Sequence, residues 1–452
     1  MKNSMKSSIL LLVSIAASAI ACADSVSADG APLLRIAVMS DIQGYPYPED
    51  AGMRNLERAL DVLAELKPDV VVNSGDINDS GMDMDAVRYY KERCDARLGP
   101  IPHVASLGNH ELGFIPEELA SVRTSARCRA EFNAIFGAGP GLVVHRVVKG
   151  HDFIALALSK IRGYTANEIA LLEAALEKAV RRDARKPIFV ITHYHPLNTV
   201  NSSGSEEEDG GLRALLDRYP QVISLSGHSH NPLQDPRSIW QGEFTAIDTS
   251  TLCYGCIEMD PPAANQISSL IPYGHESVGC LLLEVHADRV VARRFSVRNR
   301  REIEPETPWT VTLPHDPAAA RYSPEARRAA ERPPAFPEDG EPALWYDYGY
   351  VYFLFAAAVD RSAVFGYRIE LTEAGGVPKS YFQIADYYRI PEHRVSRVAF
   401  KVPAGALAGG RAYECRIFPV GFFGAEGKPI TWRFTARPGY PYRSDRPNVL
   451  PE

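Results

Sequence analysis

Five apolar segments in the first part of this sequence each end in a short polar cluster. In chain order the clusters are SDIQG, SGDIND, LGNHE, THYHP and SGHSH, and stretches with helical periodicity separate the apolar segments. This alternation predicts an α/β fold built in layers. In open α/β sheets, ligands bind beyond the carboxyl ends of the strands, so we expect the five clusters to converge on one site.

Size and charge limit the classes of protein to consider. The chain has 452 residues, of which 45% are hydrophobic, which favours two domains over one core. The formal charge is −7, from 49 basic and 56 acidic residues, and no long basic run occurs. A nucleic-acid surface is therefore not predicted, and a small molecule is the expected partner.

The first 22 residues have the pattern of an export signal. Lys2 and Lys6 precede an apolar run that ends at Ala21, which is shorter than the ~20 residues needed to span a bilayer. Cys22 follows the run directly, so the segment fits either a lipoprotein signal, with a lipid anchor on the thiol, or simple cleavage. Both alternatives predict an exported protein: periplasmic, secreted or a cell-surface lipoprotein.

The composition changes after residue 300. Residues 301–342 are rich in proline and predict a linker, and residues 343–440 alternate aromatic and polar positions as short strands do. Leu407, six residues before Tyr413, together with a Gly-rich hairpin, resembles the tyrosine corner of fibronectin type III domains. A small all-β sandwich is therefore expected at the C-terminal end.

The polar clusters carry the chemistry of metal ligands. Counting one aspartate each from SDIQG and SGDIND and the asparagine of LGNHE, they offer two aspartates, an asparagine, a glutamine and up to five histidines. A mixed nitrogen and oxygen set of this size suits a pair of divalent ions such as Zn, Mn or Fe, with one aspartate shared between them.

The ordered set of clusters resembles the calcineurin-like metallophosphoesterase family, over about residues 33–300. The resemblance implies a layered β-sandwich core flanked by helices, and hydrolysis of phosphate esters by a hydroxide held at the metals, with His110 assisting the leaving group. It assigns these ligands to the first metal: Asp41, Gln43, Asp76 and His230. It assigns these to the second: Asp76, Asn109, His193 and His228.

Gln43 departs from the family, most members of which carry histidine there. An amide oxygen is a harder and weaker ligand than imidazole, so the first site is expected to prefer Mn or Mg. The same change occurs in a branch that includes manganese-dependent ADP-ribose/CDP-alcohol diphosphatases, so it does not imply lost activity. We therefore expect two divalent ions, with Mn favoured over Fe or Zn. His193 is preferred over His195 because it directly follows its strand.

Other residues have weaker signals. Arg237 is a candidate for contact with a phosphate and Trp240 for stacking on a base or sugar, although a packing role is the simpler expectation for each. The acidic run at residues 206–209 is expected to be a solvated loop, with a second interpretation in which it disfavours highly anionic substrates. Cys253 and Cys256 predict a disulfide or two buried thiols, not a zinc site.

The predicted function is that of an exported metal-dependent phosphohydrolase acting on a small phosphorylated substrate. Phosphomonoesters, phosphodiesters and pyrophosphate bonds all fit the motif set. Two alternatives stay open: a catalytically impaired surface binding or adhesion protein that uses the C-terminal sandwich, and a two-metal hydrolase with a non-phosphate substrate. The sequence predicts no oligomeric state.

Overall fold

The structure, a computed structural model, describes most of the chain beyond the predicted export signal. The described residues are 30–79, 81, 84–113, 122–257, 273–338, 340–347, 349–359 and 364–438. The signal at residues 1–22, with Cys22, lies outside them. From Pro32 onward the chain forms one compact unit.

Two mixed β-sheets form the first half of this unit. Strands of the first sheet are β1 Leu34–Met39, β2 Val70–Asn73, β3 His103–Ala105, β10 Gly279–Val285, β11 Arg289–Ser296, β12 Arg301–Glu302 and β13 Trp309–Thr312. Strands of the second are β4 Val143–Val148, β5 His151–Leu156, β6 Ile188–Thr192, β7 Val222–Ser226, β8 Ile239–Gln241 and β9 Thr245–Asp248. The first sheet has the order β12-β11-β10-β1-β2-β3, with β13 paired to β11, and the second has the order β4-β5-β6-β7-β9-β8.

The side chains of β1 alternate between two cores. Ile36 and Val38 belong to a core shared with Phe153 and Phe189 of the second sheet, so this core fills the space between the sheets. Met39 belongs to a second core, which also includes side chains of the flanking helices. The layered α/β architecture expected from the sequence is confirmed.

In the described part of the chain, eight α-helices accompany the strands. Their bounds are α1 Ala51–Leu66, α2 Asp85–Leu98, α3 Asn109–Leu112, α4 Val122–Ile135, α5 Ala166–Arg182, α6 Glu206–Asp209, α7 Leu212–Leu216 and α8 Pro324–Ala330. In α1, Asp50 accepts a hydrogen bond from the backbone N of Met53 and caps the first turn. Leu56 and Leu60, one helical turn apart, are buried on the side of the sheet. Among the described residues, no helix combines the length and apolar character that a membrane span requires.

The C-terminal part is all-β, as expected. Its strands are β14 Ala343–Asp347, β15 Tyr350–Ala356, β16 Gly366–Glu373, β17 Lys379–Ile384, β18 Arg397–Pro403, β19 Ala412–Val420 and β20 Ile430–Thr435. They form a sheet of order β14-β15-β18 and a sheet of order β17-β16-β19-β20, with Phe353 and Ile417 in their common core. The hydroxyl of Tyr413 accepts a hydrogen bond of 2.7 Å from the backbone N of Ala408, beside the buried Leu407, which is the geometry of a tyrosine corner.

The segment predicted as a linker is partly folded onto the first sheet. β13 pairs with β11, and its Trp309 and Val311 are buried in the core between the sheets. The alternating apolar residues that indicate a strand are few in this short segment, so its prolines dominated the prediction of a linker. The first strands of the segment, β12 and β13, therefore belong to the first sheet.

A buried ion pair lies where the sandwich meets the sheets. Arg237 makes two hydrogen bonds to Asp235, of 2.9 and 2.7 Å, and its guanidinium carbon lies 4.2 Å from the ring centroid of Phe365. The hydroxyl of Tyr388 donates to the same carboxylate at 2.8 Å. Arg237 thus joins the two parts of the unit, and Trp240 is buried under the guanidinium of Arg213.

Candidate metal centre

The polar clusters lie where neighbouring strands end. Asp41 follows β1, Asp76 follows β2 and Asn109 begins α3 just after β3, and these three strands are parallel neighbours. His193 and His228 follow β6 and β7, which are parallel neighbours in the second sheet. Parallel pairing brings these strand ends to one edge, so residues far apart in sequence come within hydrogen-bonding distance.

Five of the seven residues predicted to bind metal have left-handed backbone. The φ angles are 48° at Asp41, 43° at Gln43, 54° at Asp76, 71° at His228 and 55° at His230. Residues other than glycine rarely adopt this conformation, and where they do the surrounding structure must hold them there. Each of these positions forms a sharp turn just after a strand ends. The turns direct the side chains toward a common point.

The four residues assigned to the second metal come together. Ligand atoms of Asp76, His193 and His228 lie within 4.8 Å of one another. The Nε2 atom of His193 is 2.7 Å from Oδ1 of Asn109 and 3.2 Å from Oδ2 of Asp76. The cluster combines imidazole, carboxylate and amide groups, which is a donor set that divalent transition metals accept.

The surroundings of His193 suit a cation. Its Nδ1 lies 2.9 Å from the carbonyl oxygen of Ser74, and its Nε2 faces the oxygens of Asn109 and Asp76. A neutral imidazole carries one proton and cannot satisfy acceptors on both sides. Burial lowers the pKa of His193, but the carboxylates of Asp76 and Asp41 raise it to about 9. Either a second proton or a metal ion at Nε2 completes this arrangement, so the residues fit a metal.

The residues assigned to the first metal contact one another in pairs. The Nε2 atom of His230 is 3.3 Å from Oδ1 of Asp41 and 3.2 Å from the amide nitrogen of Gln43. The Nδ1 atom of His230 lies 3.0 Å from the carbonyl oxygen of Tyr254, so it is the nitrogen that donates its hydrogen and Nε2 faces the site. A half-turn of the Gln43 amide exchanges its oxygen and nitrogen, so the same position presents an oxygen ligand to a cation.

Gly227 allows the backbone to approach Asp41 closely. A Cβ atom at this position would lie 2.2 Å from Oγ of Ser40 and 2.3 Å from Oδ2 of Asp41. Directly after it, the backbone N of His228 donates to both carboxylate oxygens of Asp41, at 3.1 Å each. The glycine of the SGHSH cluster is therefore required by the packing of the two sheet ends.

His110 lies beside both groups of ligands. Its Nδ1 hydrogen-bonds to the carbonyl oxygen of Asp79, and its Nε2 is 3.1 Å from the Gln43 amide and 3.8 Å from Oδ2 of Asp76. Its side chain is 16% exposed, whereas that of Asp76 is 1% exposed. His110 can therefore meet a substrate from solvent while it contacts the ligand cluster.

Glu111 organises the loop that carries Asp76, a role that the sequence analysis missed. The fully buried carboxylate accepts hydrogen bonds from the backbone N atoms of Asp76, Ile77, Asn78 and Gly108, at 2.6 to 3.2 Å. Burial and the nearby charge of Asp76 raise the pKa of Glu111 to about 7, against the effect of these hydrogen bonds. Glu111 is the last residue of the GNHE cluster, so the sequence contained it. That its carboxylate accepts from several backbone N–H groups is visible only in the three-dimensional structure.

His193 and His195 contact different groups. His195 places its Nδ1 2.6 Å from Oγ of Ser226, and its Nε2 lies 3.4 Å from Oδ2 of Asp248. Burial lowers the pKa of His195 well below its usual value and raises the pKa of Asp248 to about 8. The structure thus brings His193 to Asp76 and Asn109 and places His195 against a second buried carboxylate.

The acidic run is more than a solvated loop. Asp209 is buried and accepts hydrogen bonds of 2.8 Å from the backbone N atoms of Leu197 and Arg213. Oε1 of Glu208 lies 3.6 Å from Nε2 of His228. Burial raises the pKa of Glu208, but His228, His193 and Arg162 together bring that pKa below its usual value. The run therefore adds one negative charge at the edge of the candidate site.

Fold and site together define a layered α/β domain with a cluster of candidate metal ligands at its strand ends. Residues 34–232 match the family model of the calcineurin-like phosphoesterases. This match identifies a calcineurin-like phosphoesterase domain within the chain, over somewhat less than half of its length. The use of divalent metals by this family agrees with the ligand cluster described above. A comparison with curated proteins found no significant match.

Comparison with solved structures aligns parts of this chain with distant proteins. A purple acid phosphatase from yellow lupin (Lupinus luteus) seeds is 13% identical with a TM-score of 0.45, and the alignment covers 63% of this chain and 55% of that one. An anchor protein of the inner membrane complex of Plasmodium is 14% identical with a TM-score of 0.40, over 63% of this chain and 92% of that one. A two-domain fibronectin type III segment of chicken tenascin is 15% identical with a TM-score of 0.16, and the alignment covers 35% of this chain and 71% of that one.

Proposed function

We propose that this protein is an exported metal-dependent phosphohydrolase that cleaves phosphomonoesters, phosphodiesters or pyrophosphate bonds of a small substrate. The observation that supports this most strongly is His193, buried between the oxygens of Ser74 on one side and of Asn109 and Asp76 on the other. Such an arrangement suits an imidazole that binds a cation through Nε2. The export signal at residues 1–22, with or without a lipid on Cys22, supports the proposed location.

Seven residues would hold two divalent ions. Asp41, Gln43, Asp76 and His230 would bind the first, and Asp76, Asn109, His193 and His228 the second. When bound, a pair of divalent ions lowers the pKa of water, supplies the nucleophile and neutralises charge on the phosphoryl oxygens. The protein keeps the donors in place through buried backbone contacts and leaves His110 partly open to solvent.

His110 is the proposed catalytic residue of the chain itself. Its Nδ1 is engaged by the carbonyl of Asp79, so this nitrogen donates and Nε2 faces the cluster. From there a protonated imidazole can give its Nε2 hydrogen to the oxygen of the leaving group as the ester bond breaks. The backbone N of His110 also donates to Oδ1 of Asp76 at 2.9 Å, which fixes the position of the ring relative to that carboxylate.

Gln43 is the basis for proposing manganese. The amide replaces the imidazole found in most family members, and it lies against His230 and His110. An amide oxygen is a harder ligand than imidazole, and it matches Mn better than Zn. The proposed cofactors are therefore two divalent ions, with Mn favoured at the first position.

The test is hydrolysis of three substrates by metal-stripped mature protein with Mn, Zn or Mg restored singly. Nitrophenyl phosphate, bis-nitrophenyl phosphate and ADP-ribose represent a monoester, a diester and a pyrophosphate. We expect Mn-dependent turnover of at least one substrate, lost in Asp76→Asn and retained in Asp288→Asn, a control at an exposed aspartate. If folded protein is inactive with every metal and substrate, the proposal fails and the binding-protein alternative takes its place.

A further inference from the structure

A cavity of about 600 Å³ lies apart from the metal centre, where the first sheet, the 301–342 segment and the sandwich meet. Neither the predicted metal ligands nor His110 are among the residues that line this cavity. The residues that matter here are Arg294, Arg321, Arg327, Glu304, Trp309 and Tyr387. Its volume falls in the range of cavities that hold small ligands.

Arg294 is a buried arginine with hydrogen-bonding capacity to spare. Its side chain is 2% exposed, and it donates to the carbonyls of Leu233 and Thr307, at 3.1 and 3.3 Å, and to the carboxylate of Glu304 at 2.9 Å. Its guanidinium carbon lies 4.6 Å from the ring centroid of Trp309. Among the described residues, its Nε is buried without a hydrogen-bond partner.

Arg327 adds further buried donors. Within the described part of the chain, both its Nε and Nη2 are buried without a hydrogen-bond partner. Its guanidinium packs on aromatic rings, 4.7 Å from Tyr322 and 5.5 Å from Phe423. Packing of this kind orients the guanidinium but leaves its N–H groups unsatisfied.

The charges that line the cavity favour an anion. Arg294, Arg321 and Arg327 bring three positive charges, and the carboxylates that line it are Glu304 and Glu306. Glu304 already accepts from Arg294 and from the hydroxyl of Tyr387, at 2.9 and 3.2 Å. Buried N–H groups of arginine are normally matched by carboxylate or phosphate oxygens, and here several lack them.

We propose that this cavity is a binding site for a small oxyanion, in which Arg294 and Arg327 provide the charge-assisted hydrogen bonds. A phosphate or carboxylate group offers acceptors that suit planar guanidinium donors. The site is separate from the proposed reaction, because its lining residues are distinct from the proposed metal ligands and His110.

The experiment is calorimetric titration of metal-stripped full-length protein with inorganic phosphate and, in a second arm, with citrate. Tryptophan fluorescence gives an independent readout, because Trp309 lines the cavity. We expect binding of at least one probe, and the arm with the lower Kd assigns the group as phosphate or carboxylate. Arg327→Gln should raise that Kd by about tenfold or more, as expected for loss of charge-assisted hydrogen bonds.

Three variants make the result specific. Arg328→Gln, one residue along the same helix with a side chain that is 61% exposed, should bind as the wild type does. Asp76→Asn should also bind unchanged, since it alters the metal centre alone. Arg321→Gln, at an exposed position, should weaken binding and decides the matter if Arg327→Gln does not fold. The proposal is overturned if neither probe binds the wild type, or if the folded Arg327 or Arg321 variants bind like it.

Discussion

Left-handed backbone at charged and polar positions is the most informative residue-scale feature. Asp41, Asp76 and His228 each turn the chain sharply where a strand ends, although none of them is glycine. Such conformations cost of order 1–3 kcal/mol each and persist where packing over-determines them. We infer that the fold bears this cost because the turns direct ligand side chains to a common centre.

His110→Ala tests the acid role at this scale. The substitution removes the imidazole that faces the Gln43 amide, while the predicted metal ligands are retained. We expect kcat to fall about 100-fold or more, in line with loss of general acid catalysis. Metal content, measured by elemental analysis, should stay unchanged, and His286→Ala on the β10–β11 hairpin is the control. Wild-type turnover of the natural substrate by His110→Ala would show that the assigned role is wrong.

At the scale of elements, the loop after β2 depends on one buried carboxylate. Glu111 lies in the short helix α3, and its carboxylate accepts hydrogen bonds from four backbone N–H groups around Asp76 and Gly108. It thereby ties the loops of β2 and β3 together. The position of Asp76, shared between both proposed metals, is set by this contact as much as by its own strand.

Glu111→Gln keeps the shape of the side chain but replaces one acceptor oxygen with a donor. The amide then faces backbone N–H groups that it cannot satisfy, which should lower the free energy of unfolding by about 1–3 kcal/mol. Urea unfolding of the metal-stripped protein measures the change. Glu131→Gln, at a half-exposed surface pair, should have a smaller effect. Equal stability of the two variants would mean that Glu111 does not hold the loop.

A histidine in β3 predicts a pH dependence of stability. Burial, with Lys91 nearby, lowers the pKa of His103 from 6.5 to about 4. The unfolded chain therefore takes up a proton that the folded chain resists, so stability is full above pH 6.5 and falls between pH 6.5 and 4. The difference in pKa corresponds to about 3 kcal/mol.

His103→Phe should remove that part of the acid dependence. The new ring would occupy the place of the imidazole, which stacks on Phe136 with centroids 5.9 Å apart. Urea unfolding at several pH values should show a smaller loss between pH 6.5 and 4 than the wild type shows. His286→Phe should keep the wild-type slope. An unchanged slope in His103→Phe would show that another group causes the acid limb.

The sequence was most informative at the elements. The helical periodicity between the first two apolar segments corresponds to α1 at Ala51–Leu66, because its buried leucines recur at helical spacing. Polar clusters marked the ends of strands, since residues that contact a shared site must leave the core there. The roles of Glu111 and Asp209 were not predictable, because each carboxylate acts on backbone groups that are distant in sequence or hidden in a loop.

At the scale of the whole molecule, a polar cluster joins the C-terminal sandwich to the two mixed sheets. Asp235, which is fully buried, accepts hydrogen bonds from Arg237 and from the hydroxyl of Tyr388. Removing one partner of a buried charged cluster leaves polar groups without compensation. We therefore expect the sandwich and the sheets to unfold together.

Tyr388→Phe tests this junction. The substitution removes one hydrogen bond to a buried carboxylate, and we expect the free energy of unfolding to fall by about 1.5–3 kcal/mol. Differential scanning calorimetry of the full chain should show one transition at a lower Tm. Tyr381→Phe, within the sandwich, is the matched control. Separate transitions for the two parts of the wild type would contradict a coupled junction.

The central claim is that seven residues from five strand ends bind two divalent ions. Calorimetric titration of metal-stripped protein with Mn tests it most directly, with Asp76→Asn and the surface variant Asp288→Asn measured alongside. The wild type and Asp288→Asn should each bind two ions per chain, and Asp76→Asn should weaken both, because this carboxylate is shared. A folded wild-type protein that binds no ion, or an Asp76→Asn variant that binds two ions as tightly as the wild type, would contradict the claim.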